Sequence, residues 1–159
     1  MFYELRYMDG IQYYAIIDQF GTTVTRRNSL EEVLSSFPGC KNIATQWEIE
    51  RKIVLYLIRT MKVEGWTVTN IFDGSDFFHP RTDMEVLDIV FGSPTILCSI
   101  MTFENNEFYG HSHSVELESR QDRWDIFNSY SGVYEVPDGF GTTFEEKVLP
   151  YAASFDALS

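Results

Sequence analysis

Apolar positions along the chain fall into blocks of two periods, and the longest block follows the helical one. Ile53, Val54, Leu55, Tyr56, Leu57 and Ile58 run without a polar break, while Glu48, Lys52, Arg59 and Lys62 leave a narrow stripe for water. Thr45 and Glu48 stand in capping-box spacing, which predicts a helix opening at Thr45. Glu48 and Lys52 are also an i,i+4 pair in the favourable order. Gly65 suits a left-handed stop, after which Trp66 can fold back on Met61. A helix of about 20 residues spans about 30 Å, the width of a small domain, so this one is expected to be the spine of the core.

Strand periodicity dominates before it. Residues 2–8 and 11–17 flank Asp9-Gly10, the turn chemistry of a type I′ hairpin. Tyr3, Leu5 and Tyr7 share one face, with Phe2, Glu4 and Arg6 on the other. The second strand is the more apolar and is expected further inside the sheet. Residues 22–26 add a short third strand. Ser29 with Glu32 predicts a helix through Phe37, stopped by Pro38-Gly39.

Beyond the long helix, residues 66–72 read as a strand closed by Asp73-Gly74. Thr82 caps a helix over 83–91 with Met84, Val86, Leu87, Val90 and Phe91 on its buried side. Gly92-Ser93-Pro94 ends it. Residues 95–103 are apolar on both faces, the pattern of a strand covered on both sides. A turn at 104–107 returns the chain through 108–118, and 124–130 forms another strand. The longest irregular piece is 131–141. A terminal helix over 142–157 carries Phe144, Val148, Leu149 and Tyr151, with Pro150 expected to kink or interrupt it. Hairpins with segregated helices make the class α+β, a mostly antiparallel sheet around a central long helix. At 159 residues one domain is expected, with 1–44 as an N-terminal hairpin plus short helix and 45–159 as the main body.

Charge changes the picture. Residues 1–72 hold eight Lys/Arg and eight Asp/Glu, whereas residues 73–159 hold four and sixteen, which is the whole net charge of −12. Such a chain is a poor direct ligand for nucleic acid or anionic lipid, because both require Lys and Arg against phosphate. An acidic face can instead be a solvated surface, or it can dock a basic protein. No apolar run approaches a membrane span, and Met1-Phe2-Tyr3-Glu4 has no signal-like pattern, so a cytoplasmic protein is expected. Cys40 and Cys98 form no spaced motif and are expected as thiols.

Residues 53–130 resemble a small accessory domain encoded on phages, prophages and plasmids, with no assigned activity. The resemblance lies in Gly65-Trp66-Thr67-Val68 with Asp73-Gly74, in Thr82-Asp83-Met84, and in Asp125-Ile126-Phe127-Asn128-Ser129-Tyr130. It implies an accessory gene of a mobile element, acting in the host cytoplasm, and it transfers no site residues.

The residues that could carry chemistry are few. Centring a hairpin on Asn105-Asn106 opposes Cys98 with His113, His111 with Ile100 and Val115 with Ile96. Cys98, His111 and His113 then share one face, a three-ligand set open to zinc and the basis of a small metal-dependent hydrolase. The same face carries Ile96, Ile100, Val115 and Leu117, so the histidines can equally be satisfied polar groups at a core edge. His79 sits apart, before Pro80. Asp73 with Asp76, and Asp122 with Asp125, are paired carboxylates without a marked environment. No Gly-x-Ser-x-Gly, phosphate-cradling loop or second His-x-Ser/Thr motif is present, which leaves a non-enzyme without a cofactor as the expectation.

Aromatics cluster at Tyr3, Tyr7, Tyr13 and Tyr14, and again at Tyr130, Tyr134 and Phe140. They are either core packing or anchors of a docking surface. The leading expectation is therefore an acidic mobile-element protein that binds and inhibits a basic host protein, such as a nuclease or a CRISPR effector. Its binding residues would be Glu104, Glu107, Glu116, Glu118, Asp122, Asp125, Tyr130, Tyr134 and Asp138. An immunity-type protein against a basic toxin is the alternative within the binding class.

Overall fold

The computed structural model describes residues 1–92, 97–120, 126–130 and 138–155. The chain divides into two compact units, Met1–Glu48 and Ile49–Ser159, and the division falls inside the long helix. The architecture is α+β, with one mostly antiparallel sheet in each unit.

In the first unit β1 (Phe2–Met8) and β2 (Ile11–Ile17) pair from Met8 opposite Ile11 to Phe2 opposite Ile17. Asp9 and Gly10 both have positive φ, 52° and 78°, as the type I′ turn requires. β3 (Thr23–Arg27) adds to β2, and β4 (Lys41–Asn42) runs parallel to β1 beside Phe2 and Tyr3. The order is β3-β2-β1-β4. α1 (Leu30–Ser36) is capped by the Ser29 hydroxyl, which accepts from the Glu32 N–H at 3.2 Å. The Glu32 carboxylate in turn accepts from the Asn28 N–H. Both sheet faces carry apolar clusters. Ile16 packs with Val33 and Cys40 on one, and Phe2, Ala15, Ile17 and Ile43 pack together on the other.

α2 (Ile43–Val63) opens three residues earlier than a cap at Thr45 predicts. The chain leaves β4 directly into the helix, and the Asn42 carboxamide oxygen accepts from the Ala44 N–H at 3.0 Å. Asn is a stronger cap than Thr, and it stands first. The far end behaves as expected. Gly65 has φ of 90°, its N–H donates to the Lys62 carbonyl, and the Trp66 N–H reaches back to the Met61 carbonyl at 3.0 Å. This pair of bonds is a Schellman stop, with Met61 and Trp66 both buried beneath it.

The second unit holds β5 (Thr67–Phe72), β6 (Phe77–Phe78), α3 (Asp83–Phe91), β7 (Cys98–Glu104), β8 (Ser112–Glu118) and β9 (Phe127–Tyr130). The sheet order is β6-β5-β7-β8-β9, all antiparallel. α2, α3 and the C-terminal helical segment share one core with Ile71, Met101, Phe103, Val115, Leu117 and Phe127 of the sheet. Thr82 caps α3, as its position predicts, and accepts from the Glu85 N–H. Asp83 in its first turn pairs with Lys62 of α2 at 2.8 Å.

Three expectations are corrected here. Met84 is 61% exposed, because it lies in the first turn of α3, on the side away from Val86, Leu87 and Val90. β7 is covered on one face only: Ser99, Met101 and Phe103 are buried, while Cys98 is exposed and Ile100 half-buried. The terminal helix starts at Phe140 and passes Pro150 without ending. α4 (Phe140–Thr143), a π-helical turn (Phe144–Val148) and α5 (Leu149–Ala153) follow in one run.

The π turn has a sequence cause. Phe140, Phe144, Val148 and Ala152 are all buried at a stride of four residues. A regular α-helix rotates such a stride by about 40° each step, so the apolar row would drift off the core. A turn closed by the Leu149 N–H on the Phe144 carbonyl winds it back. It also precedes Pro150, which has no N–H to give the preceding turn.

Leu57 is fully buried in the second-unit core. Replacement by Ala is expected to cost about 2–5 kcal/mol, read as a lower urea midpoint at unchanged slope.

Candidate functional site

The hairpin of β7 and β8 decides which candidate residues meet. Cys98 lies opposite Glu118, Ile100 opposite Glu116, Phe103 opposite His113 and Glu104 opposite Ser112. β8 is displaced by five positions from the register that a tight Asn105-Asn106 turn would give. The loop is longer because Asn105 and Phe108 have other work. The Asn105 carboxamide donates to the Glu64 carbonyl at 2.9 Å and accepts from the Glu107 N–H at 2.9 Å. A 3₁₀ turn (Asn106–Phe108) follows, stacking the Phe108 ring on Trp66.

An odd displacement exchanges the two faces of a strand. Cys98 therefore lies on the outer face of the sheet and His113 on the inner one, so Cys98, His111 and His113 do not assemble. Among the described residues no group of three metal-ligating side chains is present. The zinc-hydrolase reading loses its geometry. Ile96, expected opposite Val115, lies outside the described residues.

The histidines have a different partner. His113 is buried, and its Nε2–H donates to Asp138 Oδ2 at 2.6 Å; His111 Nδ1–H donates to the same oxygen at 3.3 Å. Asp138 Oδ1 accepts the Phe140 N–H at 3.0 Å, so the carboxylate also opens the C-terminal helical run. The His113 ring stacks on Phe140 at 4.4 Å and meets the edge of Trp66 at 5.0 Å. Nearby, the Thr143 hydroxyl donates to the Glu64 carboxylate. Burial alone pushes the Asp138 carboxyl up, but the bonds from His113, Phe140 and His111 outweigh it and hold it below the usual carboxylate range. Asp138 thus leaves the set of surface acids. Its place before Gly139 and an apolar four-residue stride was the available signal for a helix-opening carboxylate. On the outside, His111 borders an open groove of about 400 Å³ with Glu104, Asn106 and Tyr109.

Three of the remaining acidic candidates, Glu104, Glu116 and Glu118, share the outer sheet face. Glu104 ends β7 there, and Glu116 and Glu118 project from β8 beside Cys98, Ile100 and Thr102. Both Glu116 oxygens are held, one accepting from Asn128 Nδ2 at 2.9 Å and the other from the Ser129 hydroxyl at 3.0 Å. The negative potential registers on Cys98: burial pushes its thiol up first, and the Glu118 and Glu116 carboxylates push it further. Phe77 of β6, opposite Phe72, lies on the same face, 67% exposed. Sequence reasoning passed over it. Glu107 sits in the 3₁₀ turn. Tyr130 pairs with Val115 through its backbone. Asp122, Asp125 and Tyr134 lie outside the described residues.

The chain matches no family model, no curated protein and no solved structure. Among the described residues no helix is long and apolar enough to cross a membrane.

Asp138 supplies a pH prediction. A carboxylate whose folded pKa is depressed contributes stability above its unfolded value, about 3.9, and loses it as pH falls through the folded value. Urea unfolding across an acid series is expected to show this loss in the wild type. Asp138→Asn is expected to be less stable at neutral pH and to lose less on acidification.

Proposed function

We propose that this protein acts by binding, and thereby inhibiting, a basic protein that handles nucleic acid, and that the outer face of the five-stranded sheet is its docking surface. The observation that carries the reading is a sheet that, among the described residues, helices cover on one face only. All the helices in the second-unit core pack on the inner face with Ile71, Met101, Val115 and Leu117. The outer face presents Glu104, Glu116 and Glu118 around Cys98 and Ile100, with Phe77 at one edge. Such a surface combines an apolar anchor with carboxylates, the composition that suits an interface with Lys and Arg.

The chemistry of the surface fits displacement of a phosphate backbone. Carboxylates spaced along a strand offer fixed negative charge to a groove built for nucleic acid. Glu116 is pre-positioned by Asn128 and Ser129, so little side-chain freedom is lost when a guanidinium arrives. A host nuclease or CRISPR effector, met by an accessory protein of a mobile element, is the partner class in which both requirements coincide.

The test begins with retention of a partner from host lysate and its identification, followed by association rates across a salt series. The Debye length falls from about 10 Å at 0.1 M to about 3 Å at 1 M, so long-range steering is expected to fade over that range. Glu104→Gln, Glu116→Gln and Glu118→Gln together are expected to slow association at low salt and flatten its salt dependence. Phe77→Ala is expected to act mainly on dissociation. Rates that are flat with salt and equal for wild type and the triple variant would overturn the reading.

A further inference from the structure

The first unit has a surface of a different kind. β4 pairs with β1 only beside Phe2 and Tyr3, and among the described residues nothing extends that ladder to Glu4–Met8. In a two-residue hairpin the residues flanking the turn exchange hydrogen bonds, so Met8, Arg6, Glu4 and Phe2 turn their backbone groups toward β2. The backbone groups of Leu5 and Tyr7 therefore face the open edge, as the Met1 carbonyl does where it accepts from the Lys41 N–H. Their side chains stand beside that edge, Leu5 43% and Tyr7 67% exposed. Bare edge groups next to exposed apolar side chains are a template for strand addition.

We infer that this edge pairs with the same edge of a second copy, giving an isologous dimer whose two four-stranded sheets join through antiparallel β1 strands. Three observations select a second copy as the occupant. The open stretch is self-complementary: a two-fold axis at Arg6 sets Leu5 against Tyr7 of the other copy, and Tyr7 against its Leu5. This register forms four backbone hydrogen bonds and two apolar cross-strand pairs. It ends at Glu4 opposite Met8, where β4 begins to occupy the edge, so the free length fits.

Charge is the second observation. Residues 1–48 hold four Lys/Arg and six Asp/Glu, whereas residues 49–159 hold eight and eighteen. Copies of the chain carry like charge, and the first unit holds only −2 of the net −12. The third is the position of Arg6, the residue on the axis. Its guanidinium donates to Glu4 Oε2 at 3.1 Å and to the Thr23 hydroxyl of β3 at 3.0 Å. It leans over β2, away from the open edge, so the two Arg6 charges on the axis are each paired and turned apart.

This inference is independent of the acidic sheet face. Its test is register-specific cross-linking of the full chain, with sedimentation over a concentration series. Residues opposed in a non-hydrogen-bonded antiparallel pair have Cα atoms about 4.5 Å apart, within the roughly 4.4–6.8 Å that a disulfide accepts. In a Cys98→Ser background, Arg6→Cys is expected to form an intermolecular disulfide on mild oxidation. Leu5→Cys, which meets Tyr7 rather than itself, is expected to remain reduced. Tyr7→Pro removes only an outward N–H, so it is expected to give a folded monomer by circular dichroism and sedimentation. A wild type that sediments as a monomer at every concentration overturns the proposal. So does a folded Tyr7→Pro chain that is still a dimer, or a dimeric Arg6→Cys chain that does not cross-link.

Discussion

Burial of one side of α2 against the inner face of the five-stranded sheet is the constraint on which residues 49–155 depend. Ile53, Val54, Leu57, Ile58 and Met61 are removed from water together, and the sheet residues and the C-terminal helical run close over the same core. The helix must then stop at a fixed point, or Trp66 cannot enter that core. Gly65 provides the stop at φ of 90°, a conformation that costs other L-residues about 1–2 kcal/mol. A Cβ at this position would also lie 3.1 Å from the Asn105 carboxamide, the group that satisfies the Glu64 carbonyl. One glycine thus fixes the helix end, the entry of Trp66 and the course of the distant loop that supplies Asn105.

What was legible in the sequence follows from the range of the signals. The Asp9-Gly10 hairpin, the Ser29 and Thr82 caps and the Gly65 stop are local, and each depends on a few adjacent residues whose chemistry has one good solution. The register of β7 against β8 is not of this kind. Asn105-Asn106 resembles a tight turn, yet Asn105 is drawn to Glu64, 41 positions away, and Phe108 to Trp66. Two long-range contacts set the loop length, and the length sets which face every residue of β8 occupies. That register puts His113 on the core side of the sheet, bonded to Asp138, rather than beside Cys98.

The core also carries charge that periodicity could not reveal. Glu50, which Ile49 and Arg51 flank in α2, is only 1% exposed, and its Oε1 accepts the Arg120 N–H at 2.7 Å. Arg120 follows β8 at a positive φ of 60°, with burial lowering its pKa and the Glu50 carboxylate opposing that shift. Removing one member of such a pair leaves the other charge buried, which is more costly than the pair itself is stabilising. The Asp138 carboxylate is likewise buried and held by hydrogen bonds, from His113, His111 and the Phe140 N–H. Both pairs join a helix to the end or edge of β8, so this strand is located by polar contacts as well as by Val115 and Leu117. That fixes the outer face: with Val115 and Leu117 inward, Glu116 and Glu118 have only one direction left.

The two units consequently expose surfaces governed by different physics. On the second, carboxylates dominate, attraction is long-ranged, and added salt weakens it. On the first, bare backbone groups beside Leu5 and Tyr7 offer short-range pairing that salt barely touches. Among the described residues, ten large apolar side chains are exposed at or before Trp47, against four after it, although the first unit is much the shorter. A chain with a net charge of −12 has little need of that apolar surface for its own folding, since Ile16, Val33 and Cys40 already close one small core and Phe2, Ala15, Ile17 and Ile43 the other. It is disfavoured in a solitary chain and accounted for when something covers it. Because a copy brings the same repulsive charge wherever it approaches, the proposed pairing through β1 uses the unit that carries the smaller share of that charge. The acidic face, by the same argument, disfavours contact between copies.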